Sequence, residues 1–246
     1  MINDLKIKLE IACSNVESVQ IAVQGGADRI ELFENLPEGG CTPSFGTIKK
    51  SLELCKNAGI PLMVLVRPRS GSFEYSPLEI DVIKEDLLQL QELGVDGIVS
   101  GFLNSKHHID YQQLNWLKKM WPGKITFHRA FDGFMQHHTE EAWKGAIQEL
   151  TSMGIERILS SGGKPTAIEG ADNLKKLIEW SENKIQIMPG SGINSENVAT
   201  LIQRTKATEI HATAKKLMTY QPVGSSSYHQ ADLLEIQEIK AAISAI

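Results

Sequence analysis

The sequence predicts a single (β/α)8, or TIM, barrel over residues 1–246, on three observations. Eight short β-like runs alternate with amphipathic helical runs, the pattern of βαβ units and a parallel sheet. The length of 246 residues is ordinary for one such barrel. A short motif also recurs at every second run: Ala27-Asp28-Arg29-Ile30, Val95-Asp96-Gly97-Ile98, Ile155-Glu156-Arg157-Ile158 and Ala207-Thr208-Glu209-Ile210. Alternate strands of a closed barrel share side-chain layers, so a repeat on the even strands is what closure produces. An open doubly wound sheet is the alternative, with fewer units and longer, more uniformly apolar central strands.

The elements follow in order. Strands are predicted at Leu5–Cys13, Asp28–Phe33, Pro61–Arg67, Asp96–Phe102, Ile125–Phe131, Glu156–Ser160, Ile185–Pro189 and Thr208–Ala212, each followed by a helix. Val82, Leu87, Leu88, Gln91 and Leu93 show helical spacing after the third strand, and Leu174, Leu177, Ile178 and Trp180 after the sixth. Gly26, Gly94 and Gly154 precede repeat strands as helix C-caps. Asn194-Ser195-Glu196-Asn197 is a helix start, and the last helix runs from about Asp232 to Ile246. Leu217–His229, with Ser225-Ser226-Ser227, reads as an unusual, mobile loop.

Composition narrows the class. The chain is 41% hydrophobic and 22% charged, enough for a full core. A net charge of -5 argues against nucleic acid or an anionic membrane as partner. Met1 to Glu10 lacks the apolar run of a signal peptide, and no stretch reaches the roughly 18 apolar residues of a membrane span. Three cysteines without a CxxC predict free thiols in the cytoplasm.

Side chains alternate faces along a strand, which predicts what points to the barrel axis. Glu10, Arg29, Glu31, Phe33, Met63, Leu65, Arg67, Thr126, His128, Arg157, Leu159, Ser161, Glu209, His211 and Thr213 fall on that side. Burying charge is costly unless it is paired. Yet Glu10, Glu31, Arg67, His128 and His211 cluster toward the C-terminal strand ends, where barrel enzymes build their sites. Two readings stand: a structural ion network, or a catalytic mouth. In the second, Glu31 or Glu10 moves a proton, His128 or His211 does the reverse step, and Arg67 grips a carboxylate or phosphate. Arg29, Arg157 and Glu209 lie one layer deeper and read as structural.

Two glycine-rich turns could cradle an anion through backbone amides. One is Ser160-Ser161-Gly162-Gly163-Lys164 and the other Met188-Pro189-Gly190-Ser191-Gly192-Ile193. Tight turns that simply need glycine are the alternative. His107-His108 and His137-His138 lack zinc-ligand spacing and read as solvated surface. Cys13 ends the first strand and Cys41 follows the second; together they could offer two thiolates suited to Cu(I). Cys55 reads as helix core.

The chain resembles the CutC copper-homeostasis family. The resemblance rests on Glu10-Ile11-Ala12-Cys13, Gly25-Gly26-Ala27-Asp28-Arg29-Ile30-Glu31-Leu32 and Glu38-Gly39-Gly40-Cys41-Thr42-Pro43-Ser44. It also rests on Val66-Arg67-Pro68-Arg69 with Gly71, Thr126-Phe127-His128-Arg129-Ala130-Phe131-Asp132, Met188-Pro189-Gly190-Ser191-Gly192-Ile193 and Ala207-Thr208-Glu209-Ile210-His211. It implies a cytoplasmic (β/α)8 barrel, found as a homo-oligomer, that handles Cu(I) through cysteines. It adds Arg69, Arg129 and Asp132 to the mouth. The thiols it implies fall at Cys13 and at the position held here by Phe33; Ala212 stands where a further cysteine often follows the strand-eight histidine. Cys41 could substitute for the missing thiol. Three functions follow as expectations: copper handling, acid–base catalysis on a small metabolite bearing phosphate or carboxylate, or a scaffold with no ligand.

Overall fold

The computed structural model describes residues 6–220 and 226–246. β1 (Lys8–Cys13) leads to α1 (Val16–Gln24), β2 (Arg29–Leu32) to α2 (Phe45–Ala58), β3 (Leu62–Leu65) to α3 (Pro77–Leu93) and β4 (Gly97–Ser100) to α4 (Tyr111–Met120). β5 (Lys124–Phe127) leads to two helices, α5 (Ala130–Met135) and α6 (Glu140–Ser152). β6 (Arg157–Ser160) leads to α7 (Ala171–Ser181) and β7 (Gln186–Pro189) to α8 (Val198–Thr205). After β8 (Glu209–Ala212) come a hairpin, β9 (Lys215–Tyr220) and β10 (Ser226–Ala231), and then α9 (Leu233–Ser244). Among the described residues no helix is long and apolar enough to cross a membrane.

The eight strands are parallel and ordered β7-β6-β5-β4-β3-β2-β1-β8. β1 pairs with β8 over Lys8–Ile11, so the first and last strands of the barrel lie side by side. The ring closes between β7 and β8 through one isolated bridge, Gly190 to His211.

Strand alternation sorts the side chains into two cores. Leu9, Ile11 and Cys13 face outward into the layer shared with the helices. Burying a leucine or isoleucine fully there contributes ~1.5–3 kcal/mol each. Ala12, Phe33, Met63, Leu65 and Val99 form a separate cluster inside the barrel. The even-strand repeat becomes one inner layer. Arg29 and Arg157 both donate to Glu209, at 2.6 and 2.7 Å, and Arg29 also bonds Glu10 in the layer above. β4 supplies Gly97 to that layer, and a Cβ there would lie 2.5 Å from the Met63 methyl. The acids that open two repeats tie neighbouring strands: Asp28 accepts from the Leu9 amide and Asp96 from the Leu62 amide.

Local signals set most ends. Ser76 and Glu79 form a capping box at α3, with Pro77 in the first turn and Gly94 as a left-handed C-cap. Three expectations are corrected. The predicted strand Ile125–Phe131 stops at Phe127, because Arg129 pairs with Asp132 one turn on and Ala130 begins α5. Asn194–Asn197 forms a turn before α8 rather than its first residues; the Asn194 side chain accepts the Glu196 and Asn197 amides. The segment Leu217–His229 falls largely within paired strands, with Leu217 opposite His229 and Met218 opposite Tyr228. The connection at 221–225 lies outside the described residues. Asn15 and Ser18 of the α1 start fasten the hairpin, bonding the His229 carbonyl and the Ala231 amide.

Candidate functional site

A cavity of about 400 Å³ opens at the C-terminal ends of the strands, within the size range of small-ligand sites. Alternation along β2, β3, β5 and β8 brings Glu31, Arg67, His128 and His211 to its wall. Each is almost wholly buried.

The centre is a chain of carboxylates and imidazole. His211 Nδ1 donates to Glu10 Oε1 at 2.7 Å and stands 3.5 Å from Glu31 Oε2. Burial pushes the Glu10 carboxyl up, but the Arg29 charge and the His211 bond outweigh it and hold it at about 2. Glu31 bonds no arginine. Its burial raises it to about 7; the His211 charge opposes this and the nearby Glu10 charge adds to it. Burial disfavours charge on His211, but Glu31 and Glu10 outweigh it, and its pKa rises. Two glutamates on adjacent strands thus take different states, one fixed as an anion and one poised to exchange a proton.

His128 faces this chain as a neutral ring. Burial, then the Arg67 charge, lowers its pKa to about 3. Its Nδ1 accepts the Ala130 amide at 3.2 Å, so the hydrogen-bond network assigns the proton to Nε2. That Nε2–H is buried and has no partner among the described residues. Arg67 uses two nitrogens on the carbonyls of Gly39, Gly40 and Gly71, at 2.7 to 3.0 Å. Its Nε is also unpartnered, and no described carboxylate lies within ion-pair distance. Phe73 packs under both groups, 4.9 Å from the Arg67 guanidinium and 4.7 Å from the His128 ring. Sequence reading missed Phe73, whose only signal is an aromatic residue just past Gly71.

Other expected site residues are placed elsewhere. Asp132 is buried behind the wall, accepting from Ser160 Oγ and from the Ser161 and Gly163 amides. It holds the loop after β6. The Gly162 amide donates to Ser160 Oγ and the Gly190 amide to the Ser160 carbonyl. Ser161 and Ser191 spend their hydroxyls on Lys164 and Pro165 carbonyls. With these donors committed internally, the turn after β6 is not an anion cradle. Arg69 pairs with Glu79 at 2.5 Å and ties the carbonyls of Ser70, Ser72 and Glu74, away from the cavity. Arg129, Ser191 and Gly192 do line the cavity. Glu10 sits beneath it, acting through His211.

The thiol pair is also corrected. The Cys13 side chain is buried in the helix-facing core. Burial, then the neighbouring Cys55, Glu31 and Glu10, raises its thiol well above the ordinary range. Cys41 is half-buried, its backbone paired with Glu34. Neither lines the cavity, where Phe33 and Ala212 stand instead. The histidine pairs, expected as solvated surface, come together at the surface. His107 stacks on His137 at 3.8 Å, and His108 packs at a tilt against His138 at 4.1 Å.

The CutC family model matches residues 7–216. The chain belongs to the CutC family. A CutC protein of Enterococcus faecalis is 40% identical over 207 residues, covering 83% of this chain and 97% of that one. A human protein named copper homeostasis protein cutC homolog is 40% identical over 211 residues, covering 84% and 73%. A crystal structure of a CutC protein from Streptococcus agalactiae superposes with a TM-score of 0.79 at 34% identity, covering 84% and 98%. The CutC match thus takes in every strand of the barrel and all the cavity residues named above.

Among the described residues, one group could hold a metal: Glu10, Glu31 and His211, with ligand atoms within 4.8 Å of one another. Two carboxylates and an imidazole do not make the soft thiolate set that Cu(I) selects.

Proposed function

We propose that this CutC barrel is an acid–base enzyme acting on a small anionic metabolite at the mouth. Arg67 carries the reading: a buried guanidinium, without a carboxylate partner among the described residues, lining a cavity shared with Glu31 and His128. An uncompensated buried cation is costly, and an anionic ligand supplies the missing charge. Glu31 takes a proton from the carbon beside a carbonyl. The electron pair moves onto the carbonyl oxygen, which accepts hydrogen bonds from His128 Nε2–H and Arg67 Nε–H. The proton then returns from Glu31 to the same or the adjacent carbon, so no co-reactant is needed. Glu10 and Arg29 position His211, which stabilises the Glu31 anion when it forms.

The test is proton exchange in D2O over a panel of small hydroxy- and oxo-carboxylates and their phosphates, followed by NMR. Wild-type protein should incorporate deuterium beside the carbonyl, and Glu31→Gln should slow this by ~10²-fold or more. Wild-type protein that exchanges nothing in the panel overturns the reading.

A second reading is copper homeostasis, favoured by the human relative's name and by the Glu10–Glu31–His211 group. The buried Cys13 and the absent sulfur at Phe33 and Ala212 do not fit a Cu(I) site. Titration against a Cu(I) chelator separates the two. Binding tighter than about nanomolar and lost in Cys13→Ala supports copper; weak binding indifferent to Cys13 and Cys41 removes it. The free cysteines suit a reducing cytoplasm, and light scattering checks the homo-oligomer that the family resemblance implies.

A further inference from the structure

We propose that the ligand is a phosphate monoester, its phosphate held between the turn after β7 and the chain leaving β8 by the Gly192 and Thr213 amides with Lys215 and Arg129. This rests on the reading of the mouth as a proton-transfer site and extends it to the other end of the same ligand.

The Ser161, Gly162, Gly163 and Gly190 amides are spent internally. Past Gly190 the pattern changes. The Gly192 carbonyl accepts Asn197 Nδ2 at 2.8 Å, while the Gly192 amide donates to no acceptor among the described residues. The Thr213 amide is in the same state. Both residues line the cavity. Ser191 is held at φ 87, a left-handed conformation that a serine adopts only at a cost of ~1–3 kcal/mol. Its hydroxyl on Pro165 and its carbonyl under the Ala167 amide fix it there.

Charge points the same way. The chain carries a net charge of -5, yet Arg67, Arg129 and Lys215 all line this one cavity. Arg129 spends Nε on Asp132 and one Nη on Ser161. Lys215 has no ion-pair partner among the described residues, although the next residue, Lys216, pairs with Asp232. Three residues that line the same cavity each carry a buried, unpartnered polar atom: Glu31 Oε2, Arg67 Nε and His128 Nε2. A ligand that satisfies both sets must carry an oxygen-rich reacting end and a second anionic end.

Phosphate fits the second end better than carboxylate. A phosphate monoester carries about −1.5 to −2 charges near pH 7 and three terminal oxygens. Two amides and two cations can share three oxygens. A carboxylate has two, and Arg67 with His128 already matches one carboxylate or carbonyl group.

Three probes separate the ends: inorganic phosphate, glycolate and 2-phosphoglycolate, titrated into the full chain and followed by amide and side-chain NMR. Phosphate should move the Gly192 and Thr213 amides and leave the His128 ring unmoved. Glycolate should move His128 and the Arg67 Nε–H. Phosphoglycolate should move both sets and bind at least about tenfold tighter than either. Lys215→Glu should weaken phosphate and phosphoglycolate about tenfold or more and leave glycolate unchanged. If phosphate leaves Gly192 and Thr213 unmoved, or phosphoglycolate is indifferent to Lys215→Glu, the phosphate site is overturned while glycolate binding keeps the mouth reading. If glycolate and phosphoglycolate both leave His128 and Arg67 unmoved, the mouth reading fails and this inference fails with it.

Discussion

Glu10 and Glu31 project from adjacent strands, and the fold assigns them opposite tasks. Glu10 is gripped by Arg29 and His211 and stays ionised. Glu31 touches no arginine and keeps its proton to about pH 7. This has a consequence for stability. Between the ordinary glutamate value of 4.5 and about 7, the unfolded chain has released this proton while the native barrel still holds it. The native state binds more protons, so this group's contribution to stability falls as pH rises through that window. Glu31→Gln should therefore flatten the decline in urea-unfolding free energy between those pH values, relative to wild type. Equal slopes for the two proteins would show that Glu31 titrates normally. At this scale the sequence was informative about identity and silent about state. Alternation placed Glu31, His128 and His211 inside, but nothing in the order of residues says that Arg29 bonds Glu10 and Glu209 and not Glu31.

At the scale of elements, each strand is read most easily where one face is apolar and the other carries a repeat. The pattern Asp28-Arg29-Ile30 and two of its relatives put Arg29, Arg157 and Glu209 into one layer, where opposite charges pair, while the fourth puts Gly97 there. The hairpin was illegible for the opposite reason. Lys215–Tyr220 and Ser226–Ala231 mix polar and apolar residues without a clean alternation, and they are fastened by Asn15 and Ser18 of a distant helix start. Likewise, the glycines after β6 looked like an anion cradle, but their amides had closer acceptors in Asp132 and Ser160. Asp132, suggested for chemistry by resemblance alone, is the peg on which that loop hangs. The loop is also tight against α7: a Cβ on Gly170 would lie 1.9 Å from the Ser161 carbonyl oxygen. Gly170→Ala should destabilise the protein by ~1–3 kcal/mol or more, as overpacking does, measured by chemical denaturation. A neutral result would mean that the loop and α7 move apart freely.

For the whole molecule, the decisive feature is the uneven ring. Seven strand pairs form ladders, while β7 and β8 meet at a single bridge beside the mouth. Local opening is easiest where the fewest backbone bonds must break. Backbone amides of β7 and β8 should therefore exchange with solvent deuterium faster than those of β1 and β2. Uniform protection around the ring would show that side chains alone seal the join.

That join also works as a latch. A small molecule bridging Gly192 and Thr213 would fasten the two staves that the backbone leaves loosely joined, and the whole hoop would tighten with it. Anything that binds only the closed form raises the work needed to spring it open. An empty barrel would then be the one that breathes, and the one that proteases find first. The lifetime of the protein in a cell would rise and fall with the supply of its ligand.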